Sequence, residues 1–144
     1  MMFGGENFTD LNDLWGFDLK ENKWEEVKIE ADRLRPSSRR FHSSVIRNEE
    51  LIIIGGCHGK YRSLKDVYRM DFGEFLKSND IKSLQWKEEV IGSSDFIPRW
   101  GHSSSYNATN DKIYIFGGRF SNDLQDIIIL DLDKRQSKKI SVHM

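Results

Sequence analysis

Cysteine is nearly missing from this chain: Cys57 is the only one. No disulfide can form within the chain, and the composition fits a reducing, cytoplasmic setting. Proline occurs only twice, and Pro36, which cannot donate to a strand ladder, belongs in a connection between strands. No apolar run approaches the roughly 20 residues of a membrane span. Neither charge sign dominates. The formal net charge is -1, which argues against general affinity for nucleic acid or an anionic membrane. The opening residues, Met-Met-Phe-Gly-Gly-Glu, lack the basic start and apolar stretch of a signal peptide. Without one, the glycosylation triplets at Asn7 and Asn107 read as coincidental.

What the chain does have is an internal repeat. Arg39-Arg40-Phe41-His42-Ser43-Ser44 leads, after a polar turn, to Leu51-Ile52-Ile53-Ile54-Gly55-Gly56. Arg99-Trp100-Gly101-His102-Ser103-Ser104 leads in the same way to Ile113-Tyr114-Ile115-Phe116-Gly117-Gly118, and Met2-Phe3-Gly4-Gly5 matches the end of another copy. Trp24 and Trp86 fall between successive glycine pairs, and Ser137 stands where the next tryptophan is due. Fixed-period recurrence of this kind signals a repeat architecture.

Short alternating or wholly apolar runs separated by turn residues predict strands. The middle unit reads as four, near His42–Ile46, Leu51–Ile54, Val67–Phe72 and Gln85–Ile91, with extra residues at 73–84 forming a short helical turn through Phe75, Leu76 and Ile81. The last unit reads as His102–Tyr106, Lys112–Phe116, Ile127–Asp131 and a weak strand near 138–142. The glycine pairs are expected to end second strands, the serines to suit a crowded inner strand, and the tryptophans to fill the gap between splayed outer strands.

The order Arg-x-x-His-Ser, apolar strand, Gly-Gly, Asp-Leu/Val-x-x-x-Asp, Trp resembles the kelch repeat. It is met by 39–56 with Asp66–Asp71 and Trp86, and by 99–118 with Asp126–Asp131; residues 12–19 with Trp24 resemble the second half of another copy. The resemblance implies an all-β fold, an incomplete kelch-type β-propeller of antiparallel four-stranded blades. Residues 1–29 would form a half blade (strands three and four), 30–91 a full blade with an insertion, and 92–144 a full blade with a degenerate last strand. Closed propellers have about four to eight blades. The chain is therefore expected to be a segment of a longer propeller, or to self-associate through its open blade ends.

Chemistry is hard to find. The run Gly55-Gly56-Cys57-His58-Gly59-Lys60 lacks the phosphate-loop pattern, and Cys57 with His58 offers two adjacent ligands and no second pair; Cys57 reads as an unpaired loop thiol. No catalytic residue, metal site or cofactor is expected. Some kelch propellers resemble a copper oxidase domain, and a galactose-oxidase-like enzyme is the alternative, as is a fragment without independent function; no crosslinked Cys–Tyr set is marked here. Residues that recur, Gly4, Gly5, Trp24, Arg39, His42, Gly55, Gly56, Trp86, Arg99, His102, Gly117 and Gly118, are assigned to the scaffold.

Function is then expected in the loops that do not repeat. Connections between strands two and three, and between blades, emerge on one face: 6–13, 57–65, 119–123, 30–38 and 92–98. They carry Arg33, Arg35, His58, Lys60, Tyr61, Arg62, Arg119 and Phe120. Arginine and tyrosine commonly anchor interfaces, and arginine grips carboxylates. The expectation is a non-enzymatic scaffold or adaptor binding a partner protein through an acidic segment.

Overall fold

Three antiparallel sheets stand side by side in the computed structural model, which describes residues 1–30 and 34–141. Sheet one comprises β1 (Met2–Asn7), β2 (Thr9–Asp18) and β3 (Lys23–Glu26). Sheet two comprises β4 (Ser43–Arg47), β5 (Glu50–His58), β6 (Arg62–Asp71) and β7 (Trp86–Glu89). Sheet three comprises β8 (Ser103–Asn107), β9 (Lys112–Phe116), β10 (Asp126–Asp131) and β11 (Gln136–Ser141). Within each sheet the strands lie in chain order. The 73–84 insertion folds as α1 (Gly73–Ser78) and a 3₁₀ turn, Ile81–Ser83. No helix among the described residues is long and apolar enough to cross a membrane.

The middle sheet explains its own sequence. Leu51 and Ile53 of β5 point toward sheet one and pack with Phe3, Leu14, Tyr68, Met70, Leu84 and Trp86. Ile52 and Ile54 point the other way, onto Ile113, Ile115, Ile128 and Leu130 of sheet three. A strand buried on both faces needs apolar residues at consecutive positions. Each buried aliphatic side chain contributes about 1.5–3 kcal/mol.

Sheet one has three strands where the sequence suggested only two. The glycine pairs account for the difference. Gly4 and Gly5 adopt φ values of 59° and 108°, Gly55 and Gly56 of 54° and 106°. They form bulges, between Phe3 and Gly5 in β1 and between Ile54 and Gly56 in β5, after which pairing resumes. A bulge bends a strand without ending it. Only β9 stops short of its pair, at Phe116. Much of the expected loops 6–13 and 57–65 is therefore strand, and Cys57, expected in a loop, is buried within β5.

The tryptophans also divide. Trp86 is only 5% exposed, edge-on to Phe3 with ring centroids 5.2 Å apart. Trp24 is 48% exposed and tilts against Phe17 instead. Filling a gap between sheets requires a sheet on that side, and among the described residues no sheet packs against Trp24.

A repeated joint locks the sheets together. The Gly5 N–H donates to the Arg39 carbonyl and the Arg39 N–H to the Leu11 carbonyl, both at 2.9 Å. One sheet on, Gly56 N–H donates to the Arg99 carbonyl and Arg99 N–H to the Leu64 carbonyl, again at 2.9 Å. The Arg39 side chain is fully buried; its Nη1 donates to Gly55 O at 2.9 Å and to Asp66 Oδ1 at 2.6 Å. Arg99 repeats this with Gly117 O at 2.9 Å and Asp126 Oδ1 at 2.8 Å. Each arginine thus fixes the glycine bend of its own sheet while its backbone grips the sheet before it.

Candidate functional site

The joint consumes the side chains that most suggest catalysis. His102 Nε2 lies 2.8 Å from Ser43 Oγ. Burial, and then the nearby arginine charge, push the pKa of both His42 and His102 down to about 4. Burial also raises the Cys57 thiol pKa, which disfavours the reactive thiolate. Among the described residues, no group of three or more His, Cys, Asp and Glu is arranged to hold a metal.

The face bearing the connections between second and third strands looks different. Each connection exposes an aromatic ring: Phe8 between β1 and β2, Tyr61 between β5 and β6, and Phe120 between β9 and β10. Phe8 and Tyr61 hold φ values of 59° and 66°. Bulky residues rarely adopt this left-handed conformation, which costs on the order of 1–3 kcal/mol and clusters at functional sites. Phe41, in the connection entering sheet two, is a third such residue, with φ 55°.

Four residues come together here. Tyr61, Trp100, Arg119 and Phe120, with Ser121, line an open cleft of about 390 Å³ at the seam of sheets two and three. Trp100 is placed by a backbone bridge: Arg119 N–H donates to its carbonyl at 2.8 Å. Phe41 tilts against Trp100 at 5.5 Å, and the Arg119 guanidinium lies 5.9 Å from the Trp100 ring centre. Such cation–π placement orients the guanidinium while leaving its N–H fork to solvent. The one ion pair of Arg119 among the described residues, to Asp123, is long at 3.7 Å and exposed on both sides.

A buried carboxylate holds the neighbouring turn. Asp10 of β2 accepts from the Gly59 N–H and from the Arg40 guanidinium. Burial alone would raise its pKa, but these bonds to backbone and guanidinium outweigh it and hold the carboxyl below its usual range. Arg40 also donates to Gly59 O at 3.1 Å and sits 5.6 Å from the Phe41 ring centre. The Gly59–Tyr61 turn is thereby fixed from beneath.

The expected contact residues are thus only partly assembled. Tyr61, Arg119 and Phe120 meet in the cleft. Lys60 and Arg62 flank Tyr61 and are exposed. His58 is tethered, its Nδ1 2.7 Å from the Ser38 carbonyl, so it braces the inter-sheet connection. Arg35 lies elsewhere, in a groove of sheets one and two with Trp86 and Ile29. Arg33 falls outside the described residues. Sequence reasoning missed Trp100, Phe41 and Phe8. The signal for the first two was present: Arg40-Phe41-His42 and Trp100-Gly101-His102 differ at both positions between otherwise matched repeats.

Comparison with known proteins agrees with this architecture. The sequence model of the Attractin/LZTR1 beta-propeller matches residues 1–132. The chain is 32% identical to Adagio protein 3 of Arabidopsis thaliana over 97% of its length. It is 34% identical to the Caenorhabditis elegans host cell factor homolog hcf-1 over 83%. A third relative is the Drosophila melanogaster leucine-zipper-like transcriptional regulator 1 homolog, 27% identical over 65% of the chain. The chain spans only 22%, 16% and 11% of those three proteins.

Proposed function

The chain belongs to the Attractin/LZTR1 β-propeller family, and from that footing we propose that its kelch-type blades are a protein-interaction module without catalytic activity of its own. The docking point is the cleft of Tyr61, Trp100, Arg119 and Phe120. The observation that carries the reading is the pairing of exposed aromatic rings, Tyr61 on left-handed backbone and Phe120, with an arginine whose fork is nearly unengaged.

The chemistry of the cleft specifies its ligand. Aromatic walls bury an apolar side chain, and Arg119 donates charge-assisted hydrogen bonds to a carboxylate beside it. Lys60 and Arg62 add positive charge at the rim, which speeds encounter more than it tightens binding. The partner is a segment with an acidic residue next to a bulky apolar one.

Fluorescence polarisation with capped peptides of the form Asp-Glu-Leu-Phe tests this, against charge-reversed Lys-Lys-Leu-Phe. The acidic peptide should bind in a salt-sensitive way, and Arg119→Ala or Tyr61→Ala should weaken it about tenfold or more. Equal binding of the charge-reversed peptide, or unaltered binding by both variants, rules the cleft out as an acidic-segment site.

A further inference from the structure

Arg40 in sheet two and Trp100 in sheet three hold the same backbone place. Each exchanges hydrogen bonds with the residue just past its sheet's glycine pair, Arg40 with Cys57 at 2.9 and 2.8 Å and Trp100 with Arg119 at 3.1 and 2.8 Å. Across each seam stands a third strand of the preceding sheet, β2 or β6. There Asp10 and Ser63 correspond, each preceding the leucine, Leu11 or Leu64, that pairs with Gly5 or Gly56. Where the first seam has Asp10 and Arg40, the second has Ser63 and Trp100, and the aromatic cleft opens there. Asp10 is thus no part of the recurring joint.

Its bonds run toward both walls of that cleft. The Asp10 side chain is 5% exposed and divides its oxygens: Oδ1 accepts from the Arg40 guanidinium and Oδ2 from the Gly59 N–H. The Gly59 carbonyl in turn accepts from the Tyr61 N–H at 2.9 Å and from Arg40 at 3.1 Å. Packing contributes little to this turn. A Cβ on Gly59 would meet nothing within 4 Å, Tyr61 is 68% exposed, and both residues are left-handed. On the other side, Arg40 lies against the Phe41 ring, whose far neighbour is Trp100, and the Phe41 carbonyl accepts from the Gly101 N–H at 2.8 Å.

We infer that Asp10 is a positioning residue for the cleft: from the neighbouring sheet, without lining it, the carboxylate sets Tyr61 through Gly59 and Trp100 through Arg40 and Phe41. The inference rests on the reading of the cleft as a docking point. An exposed ring on an unrestrained turn must be ordered as the ligand binds, and a turn fixed beforehand removes that cost. Charge-assisted bonds suit the task, being about twice as strong as neutral ones. One carboxylate bonded toward both walls also keeps the two in step.

The test is Asp10→Asn, which keeps the size of the side chain but offers one acceptor oxygen where two are used. Without any peptide, amide hydrogen exchange should quicken about tenfold at Gly59 and Tyr61 while the paired amides of β5 and β6 exchange as before. Affinity for the Asp-Glu-Leu-Phe peptide should fall about fivefold in the parent background and distinctly less in Tyr61→Ala, where one of the two routes has already been cut. A brace with a purely structural role gives another pattern: faster exchange throughout sheets one and two, and the same proportional loss of affinity in both backgrounds. That pattern overturns the inference, and so does unchanged exchange at the turn. A parent chain that ignores the peptide removes the acidic-segment reading instead, and exchange at Gly59 and Tyr61 then decides by itself whether Asp10 holds the ring in place.

Discussion

Phe41 and Gly101 occupy the same place in successive sheets, one residue before the joint histidine, with φ of 55° and 65°. The backbone there needs a left-handed residue, and glycine supplies it without strain. Phenylalanine does not, so its presence beside Trp100 reflects what the ring does. Replacing Phe41 by glycine relieves about 1–2 kcal/mol of backbone strain, while losing a ring contact of about 0.5–1.5 kcal/mol. Replacing it by alanine loses the contact and retains most of the strain. Phe41→Gly should therefore be more stable than Phe41→Ala by about 1 kcal/mol in urea denaturation. The usual order inside strands and helices is the reverse, and finding that order here would remove the strain argument.

Gly55 and Gly59, both left-handed, allow a separation of strain from crowding. A Cβ on Gly55 would lie 2.7 Å from the Arg99 carbonyl, inside the joint. A Cβ on Gly59 would have φ 57° but nothing within 4 Å. Gly59→Ala should cost about 1 kcal/mol from backbone conformation alone. Gly55→Ala should cost about 3 kcal/mol or more, because the sheets must move apart. Equal losses in equilibrium denaturation would show that the joint is looser than its hydrogen bonds imply.

How far the sequence revealed this arrangement depends on whether a residue's environment is local. Leu51–Ile54 announced a doubly buried strand, and Arg39 and Arg99 stood out by repetition. The bulges were not legible, because period-two alternation is blind to one inserted residue and Gly-Gly equally suggests a stop. Trp24 and Trp86 look alike in the sequence, yet the sheet beyond each decides whether it is buried. Asp10 gave no hint at all: its partners, Arg40 before β4 and Gly59 in the turn after β5, belong to connections of sheet two and meet it only once the sheets pack.

Arg99 and Asp126 form a buried pair with paired bonds at 2.8 and 3.2 Å. Arg99→Met strands a carboxylate and the Gly117 carbonyl, and should cost about 3–5 kcal/mol. Arg99→Lys should recover little, since a single ammonium cannot replace a fork that spans the carboxylate and the carbonyl. The double change Arg99→Met with Asp126→Leu should be less destabilised than Arg99→Met alone. A double-mutant cycle by chemical denaturation measures the difference.

The joint histidines set an acid limit. Burial, reinforced by Arg39 and Arg99, lowers the folded-state pKa of both to about 4, against 6.5 for the free side chain. Between those values the unfolded chain binds protons that the folded chain refuses, so stability falls as pH falls. The contribution is complete above about pH 6.5 and lost on approaching pH 4, at most about 3 kcal/mol per histidine. Asp111 and Asp131, whose carboxyls are held low first by hydrogen bonds from Arg47 and Lys112 respectively, lose their share at lower pH still. Denaturation midpoints should therefore drop between pH 6.5 and 4 in the parent chain and vary less steeply in His102→Gln, which keeps a polar side chain near Ser43 without the titration. A parent chain as stable at pH 4.5 as at pH 7 would mean that the histidines reach water and the joint is not the dry seam described.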